Sequence, residues 1–158
     1  MPPSKVTLPN VWRGDVCELA IALLGAGPVV NGPVVGGKPT RVQSSVPLPA
    51  ADLALMQSTY TLIECQFKFA AIDEDPVIDL SSVRGDLRFE VAARLPDGTT
   101  GPAIVIRLQQ QHTRTPRADL VWDMQFSGAG VGPYTLFYGD EWKILQDRTR
   151  TARDPVTP

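Results

Sequence analysis

The chain has 158 residues, 43% of them hydrophobic, which suits one folded domain that buries a core without disulfide staples. Fifteen prolines and thirteen glycines cut it into short segments, arguing against a helical bundle and for β-structure. Fifteen basic against seventeen acidic residues give a formal charge of −2, so there is no global basic field to hold nucleic acid, and no apolar run is long enough for a membrane-spanning helix.

Residues 1–10, MPPSKVTLPN, carry prolines at positions 2, 3 and 9. Proline excludes helix interior and central strand, so this segment reads as an extended arm lying along a surface or a partner. It lacks the pattern of a signal peptide, which points to a protein made and kept, or assembled, in a cytosol. Cys17 and Cys65 are then expected as reduced, buried, small hydrophobes.

Val11 to Leu24, VWRGDVCELAIALL, is the first substantial element. Cys17, Leu19, Ile21 and Leu23 alternate with Glu18, Ala20 and Ala22, the period of a half-buried strand. A helix is the competing reading, because Ala and Leu favour it. Residues 25–49 hold five glycines and five prolines, and GPVVNGPVVGG repeats a turn followed by two β-branched residues. Structureless loops of that length are uncommon in compact domains. The insertion, taken as 25–58, is therefore either a projecting β-hairpin or an arm that orders against a neighbour. Within it, Ala50 to Gln57 suits a short helix after Pro49.

Strand character returns at Ser58 to Ala70, with Thr61, Ile63, Cys65, Phe67 and Phe69 on one side. IDEDPVIDLSS then reads as a turn and a short edge segment. Asp86 to Leu95 alternates cleanly: Leu87, Phe89, Val91, Ala93 and Leu95 face one way. Pro96-Asp97-Gly98 is a turn, since proline presets φ and glycine takes the left-handed site. Ala103 to Leu108 is a further strand, and Gln109 to Arg117 a polar loop.

Ala118 to Asp147 organises the rest. Ala118, Leu120, Trp122, Met124 and Phe126 alternate with polar residues, and a glycine-rich turn spans Ser127 to Gly132. A second strand is expected from Pro133, with Tyr134, Leu136 and Tyr138 on one face. Gly139 and Asp140 are expected to turn the chain into a third strand carrying Trp142 and Ile144. About seven or eight strands at this spacing predict an antiparallel β-sandwich, Ig-like or jelly-roll-like, as a single domain over 1–158. Trp122, Phe89, Val91, Leu120 and Leu136 are the expected core.

Candidate chemistry is sparse. The clusters at 25–27 and 128–132 run into proline and β-branched or aromatic residues, not into a helix whose N-terminus could face a phosphate. His112 is the single histidine, in QQQHTRTPR, and the two cysteines lie far apart, which leaves no zinc site; no nucleophile elbow supports a triad. Asp73, Glu74, Asp75 and Asp79 match no calcium loop and read as a solvated turn. Arg-Gly-Asp occurs at 13–15 and 84–86, each time before a strand, and reads as a glycine turn that launches it, with arginine and aspartate at its rim. The 148–158 tail is basic through Arg148, Arg150 and Arg153. It reads either as solvated or as docking on an acidic partner surface.

The segments LPNVWRGDVCELAIALL, VIDLSSVRGDLRFEVA, RADLVWDMQF and GPYTLFYGDEWKILQDRTR together resemble small β-sandwich proteins of tailed bacteriophages, above all the N-terminal domain of siphophage upper baseplate proteins. The matching residues are Arg13, Gly14 and Asp15; Asp79, Leu80 and Ser81; and Gly132 and Tyr134. The insertion at 25–58 departs from that pattern. The resemblance implies a non-enzymatic virion structural protein of tail, neck or baseplate, without cofactor, packing against copies of itself and other virion proteins, with neither nucleic acid nor membrane as partner. Extended segments gain order from neighbours, so the expected assembly contacts are residues 1–10, the insertion with Val29, Val30, Val34 and Val35, and the tail with Arg148, Arg150 and Arg153. A capsid decoration protein and a carbohydrate-binding sandwich are the alternatives, the latter favoured by exposure of Trp12, Tyr138 or Trp142 on one face. An enzyme would require His112 buried beside a carboxylate and a nucleophile.

Overall fold

The computed structural model describes residues 3–114 and 118–145. In chain order the elements are β1 (Ser4–Lys5), β2 (Val11–Trp12), β3 (Cys17–Ala22), β4 (Leu24–Val35), β5 (Lys38–Pro47), α1 (Ala50–Thr59), β6 (Leu62–Lys68), β7 (Ile78–Ser81), β8 (Leu87–Arg94), β9 (Thr100–Leu108), β10 (Ala118–Gly128) and β11 (Val131–Leu145). The described chain is all-β apart from one short helix, and its strands form several sheets that do not close into a barrel.

Six strands form the larger sheet, in the order β1-β11-β10-β6-β7, with β2 also on β11. A second sheet has the order β3-β9-β8. Both contribute to one apolar cluster: Leu19, Ile21, Ile104 and Ile106 from the smaller sheet meet Ile63, Phe67, Met124, Phe126 and Trp142 from the larger. Phe89 lies 6.3 Å from Phe126 between ring centroids, and Phe67 lies 4.6 Å from Trp142. Burying one such aromatic removes enough apolar surface from water to contribute about 1.5–3 kcal/mol. The expected alternation of β10 holds: Leu120, Trp122, Met124 and Phe126 are all buried. In β6, Ile63, Cys65 and Phe67 are buried, whereas Phe69 lies beyond the strand and is exposed. The helix forms where Pro49 can occupy an N-terminal position without an amide proton, and Leu53 anchors it in the core.

Four expectations need correcting. The larger sheet is mixed, not antiparallel throughout, because β1 and β2 both pair with β11 in parallel. Val11 to Leu24 is not one element. Gly14, at φ +83°, breaks it into β2 and β3, which join different sheets. Gly139 and Asp140 do not turn the chain: β11 runs unbroken from Val131 to Leu145. Between the pairs Leu120↔Trp142 and Trp122↔Gly139, β11 carries one more residue than β10, a β-bulge in place of a reversal. Further shifts along β11 place Phe137 opposite Met124 and half-buried against Phe126, while Leu136 falls at a shift and is half-buried, not core.

The fourth correction concerns β8. Val91 is 66% exposed, not core, and Phe89 is only partly buried. The pairs Glu90↔Ala103 and Ala93↔Gly101 show one extra residue on β8. A bulge reverses the facing of everything after it. Leu87 and Phe89 therefore face the main core, while Ala93 and Leu95 join a small separate cluster with Ala20, Ala103 and Val105.

The described part of the N-terminal arm lies along the protein's own sheet. Val6 N–H donates to the Tyr138 carbonyl at 2.8 Å, and Leu8 is buried. The Trp142 indole N–H donates to the Pro9 carbonyl at 2.8 Å, and the Asn10 side chain accepts from Lys143 N–H at 3.0 Å. Prolines at 3 and 9 suit this edge position, where a missing amide proton costs nothing to the ladder.

Candidate functional site

β4 and β5 pair only with each other, as a two-stranded sheet apart from both larger sheets. They form a hairpin over residues 24–47, within the segment expected as a hairpin or an arm, and α1 follows it. Its geometry comes from the GPVV repeat. One register shift falls between Ala26 and Val29, the second between Asn31 and Val34, so each Gly-Pro sits in a bulge. Proline has no amide proton to lose from the ladder, so it fits there. The facing strand caps both bulges: Ser44 Oγ donates to the Pro28 carbonyl and Thr40 Oγ1 to the Pro33 carbonyl. Gly27 and Gly32 lie beneath those side chains. A Cβ on Gly27 would come 2.5 Å from Ser44 Oγ, and one on Gly32 2.5 Å from Val42 Cγ2.

The bulges decide where the valines point. In an unbroken strand a five-residue repeat would place Val29 and Val34 on opposite faces. Their partners here, Gln43 and Pro39, are four apart, so Val29 and Val34 share a face with Asn31 and Arg41. Val30, paired with Val42, and Val35, paired with Lys38, share the other. These five of the hairpin's six valines are exposed, and Val46 is half-buried. A hairpin that covers its own core has one apolar and one polar face; this one shows valine among polar residues on both. Its charges are Lys38 and Arg41, with no acidic residue from 24 to 47.

Of the other predicted contact residues, Arg148, Arg150 and Arg153 lie outside the described residues.

The two Arg-Gly-Asp segments share a backbone device. Gly14 and Gly85 both take positive φ, +83° and +81°, in turns before β3 and β8. Asp86 departs from the expected rim position. It is buried, its carboxylate accepts from Ser81 N–H at 3.2 Å and Arg84 Nε at 3.3 Å, and its carbonyl accepts from Arg107 N–H at 2.7 Å. Arg84 also donates to the Asp79 carbonyl at 2.8 Å. The second segment thus ties the start of β8 to β7 and β9.

His112 sits in the turn after β9, where Nδ1 accepts from Gln109 N–H at 2.9 Å. Burial holds its imidazolium form below the usual histidine range, with Asp86 opposing and Arg84 adding to that effect. Asp73 accepts from Ala70 N–H at 3.0 Å in the turn between β6 and β7. Among the described residues no group of three or more His, Cys, Asp or Glu is placed to hold a metal ion. Cys17 and Cys65 are free; Cys65 is fully buried, Cys17 only half-buried, and burial raises both thiol pKa values. Trp12 and Tyr138 are exposed, whereas Trp142 is fully buried. No helix of the described chain is long and apolar enough to cross a membrane.

The chain matches no protein-family model, no curated protein and no solved structure.

Sequence reasoning located the hairpin through its repeat but missed the two-sided display of valine. The signal was present in the odd repeat length combined with Gly-Pro at matching positions, a pattern that favours a bulge in each copy.

Proposed function

We propose that this chain is a non-enzymatic structural protein of a tailed-bacteriophage virion, a tail, neck or baseplate component that works through protein–protein contacts. In this reading the two facing sheets are a β-sandwich of Ig-like or jelly-roll-like type, with β1 and β2 added in parallel at one edge. The partners are copies of itself and other virion proteins, engaged without nucleic acid, membrane or cofactor, and the site of action is the virion.

The observation that supports it best is the hairpin with valine on both faces. An isolated two-stranded ribbon is marginal in water, and exposed β-branched pairs on open edges invite association. A partner that covers Val29 and Val34 on one side, or Val30, Val35 and Val42 on the other, removes that apolar surface from water. The resemblance of the Arg-Gly-Asp, Asp-Leu-Ser and Gly-x-Tyr segments to phage tail modules supplies the setting.

Light scattering and electron microscopy of the purified chain test the proposal. The full chain is expected to form ordered oligomers. A variant with serine at 29, 30, 34 and 35 is expected to stay monomeric at the same concentration, with an unchanged melting temperature. A full chain that remains monomeric at high concentration, alone and with candidate virion partners, would remove the basis for the assembly reading.

A further inference from the structure

The outward face of the larger sheet carries a polar row that assembly through the hairpin does not use. Register sets Tyr138 of β11 opposite Asp123 of β10, and Asp123 opposite Gln66 of β6. Residues paired this way share a face, with side chains about 5 Å apart. A groove of about 390 Å³ runs along the row, flanked by Lys68 and Thr135. Three adjacent strands make it about 10 Å across, and its volume falls in the lower range of small-molecule sites.

Asp123 gives the groove its character. Its side chain is half-buried, yet its carboxylate accepts no hydrogen bond from the described residues. Its oxygens reach solvent in the groove, so a ligand's hydroxyl donors can take the place of water there. Burial also pushes its carboxyl above the usual aspartate range, with Lys68 pulling the other way.

The surroundings narrow the ligand class. Strand β10 is paired on both sides, by β11 and β6, so no peptide strand can add at this position. Lys68 stands against Asp123, and Lys5 is already bound to Asp140 at 3.0 Å, so no excess positive charge favours a phosphate. What remains is an exposed aromatic ring beside amide, hydroxyl and carboxylate groups. That combination matches a ligand with apolar C–H faces and neutral hydroxyl donors.

We propose that this groove binds a neutral saccharide of one or two hexose rings, with Tyr138 as the stacking platform and Asp123 and Gln66 receiving and donating hydrogen bonds to adjacent hydroxyls. The site is separate from the hairpin and does not depend on the assembly reading.

Calorimetric titration of the full chain tests it, with glucose, galactose, mannose and N-acetylglucosamine, their disaccharides, and soluble polysaccharides built from them. At least one saccharide is expected to bind saturably. Tyr138→Ala and Asp123→Asn should each weaken that binding about tenfold or more, the loss of roughly one good contact, while Tyr138→Phe retains it. Melting curves of the same variants separate lost binding from lost folding. The serine-substituted hairpin variant should bind as the parent does. Absence of saturable binding across the whole panel, or an affinity that neither Tyr138→Ala nor Asp123→Asn reduces, overturns the proposal.

Discussion

Gly139 lies directly beneath the indole of Trp122: a Cβ built on Gly139 would come 2.2 Å from Trp122 Nε1 and 2.8 Å from the Val6 carbonyl oxygen. The glycine is there to let a large side chain and the N-terminal strand close over β11, not to reverse the chain. Gly139→Ala is therefore expected to destabilise the fold by about 1–3 kcal/mol, the usual cost of overpacking. A double-mutant cycle with Trp122→Leu checks the cause. The alanine should cost clearly less once the indole is gone, whereas additive effects would place the strain elsewhere.

Burial on β6 and on the two faces of β8 predicts unequal substitutions. Phe67, fully buried between Trp122 and Trp142, should cost about 3–5 kcal/mol when replaced by alanine. Phe89→Ala should cost less, because its ring is only partly buried. Val91→Ser should stay within about 0.5 kcal/mol of the parent, as exposed substitutions do. Denaturant midpoints order the three; a large loss at Val91 would contradict the bulge after Glu90.

The buried Asp86 anchors a turn. Replacing it with alanine leaves Ser81 N–H and Arg84 Nε without this acceptor. The expected loss is about 1–3 kcal/mol, the cost of orphaned partners near a buried site. Hydrogen exchange at Ser81 and Arg107 should report local opening between β7 and β8.

Asp123 gives a pH signature. Its folded pKa lies above the unfolded value, so its contribution to stability is fully present below the unfolded pKa and is lost as pH rises through the folded one. Asp123→Asn should therefore stabilise the protein at neutral pH, with the gain disappearing below about pH 3.9, the unperturbed aspartate value. Thermal melts from about pH 3 to about pH 8 measure it. A parent that gains stability relative to the variant as pH rises would reverse the sign and defeat the assignment.

Thiol chemistry follows burial. Cys65, fully enclosed, should react with a thiol reagent only on unfolding, and Cys17 slowly in the native state. Reductant should leave the melting temperature unchanged. A drop of several degrees would point to a cystine linking the two sheets.

The sequence by itself determined the strand character, the turn at Pro96-Asp97-Gly98, the short helix after Pro49 and the inward face of β10, and it left the GPVV repeat as a hairpin or an arm. Each rests on local chemistry: period-two burial, a fixed proline φ, or a glycine at positive φ, as at Gly98. What only the tertiary structure decided is facing and pairing beyond each bulge. Val91 points outward, Phe137 joins Leu136 against the core, and Val29 and Val34 align, because one extra residue on one strand shifts the register against its partner. The N-terminal arm follows the same logic. Its prolines dictate an extended edge segment, but the surface it lies on, the protein's own β11, is set by Trp142 reaching the Pro9 carbonyl from more than a hundred residues away. A bulge is a property of two strands together, and an arm's resting place is a property of the surface that receives it. Neither is carried by the local pattern of one segment.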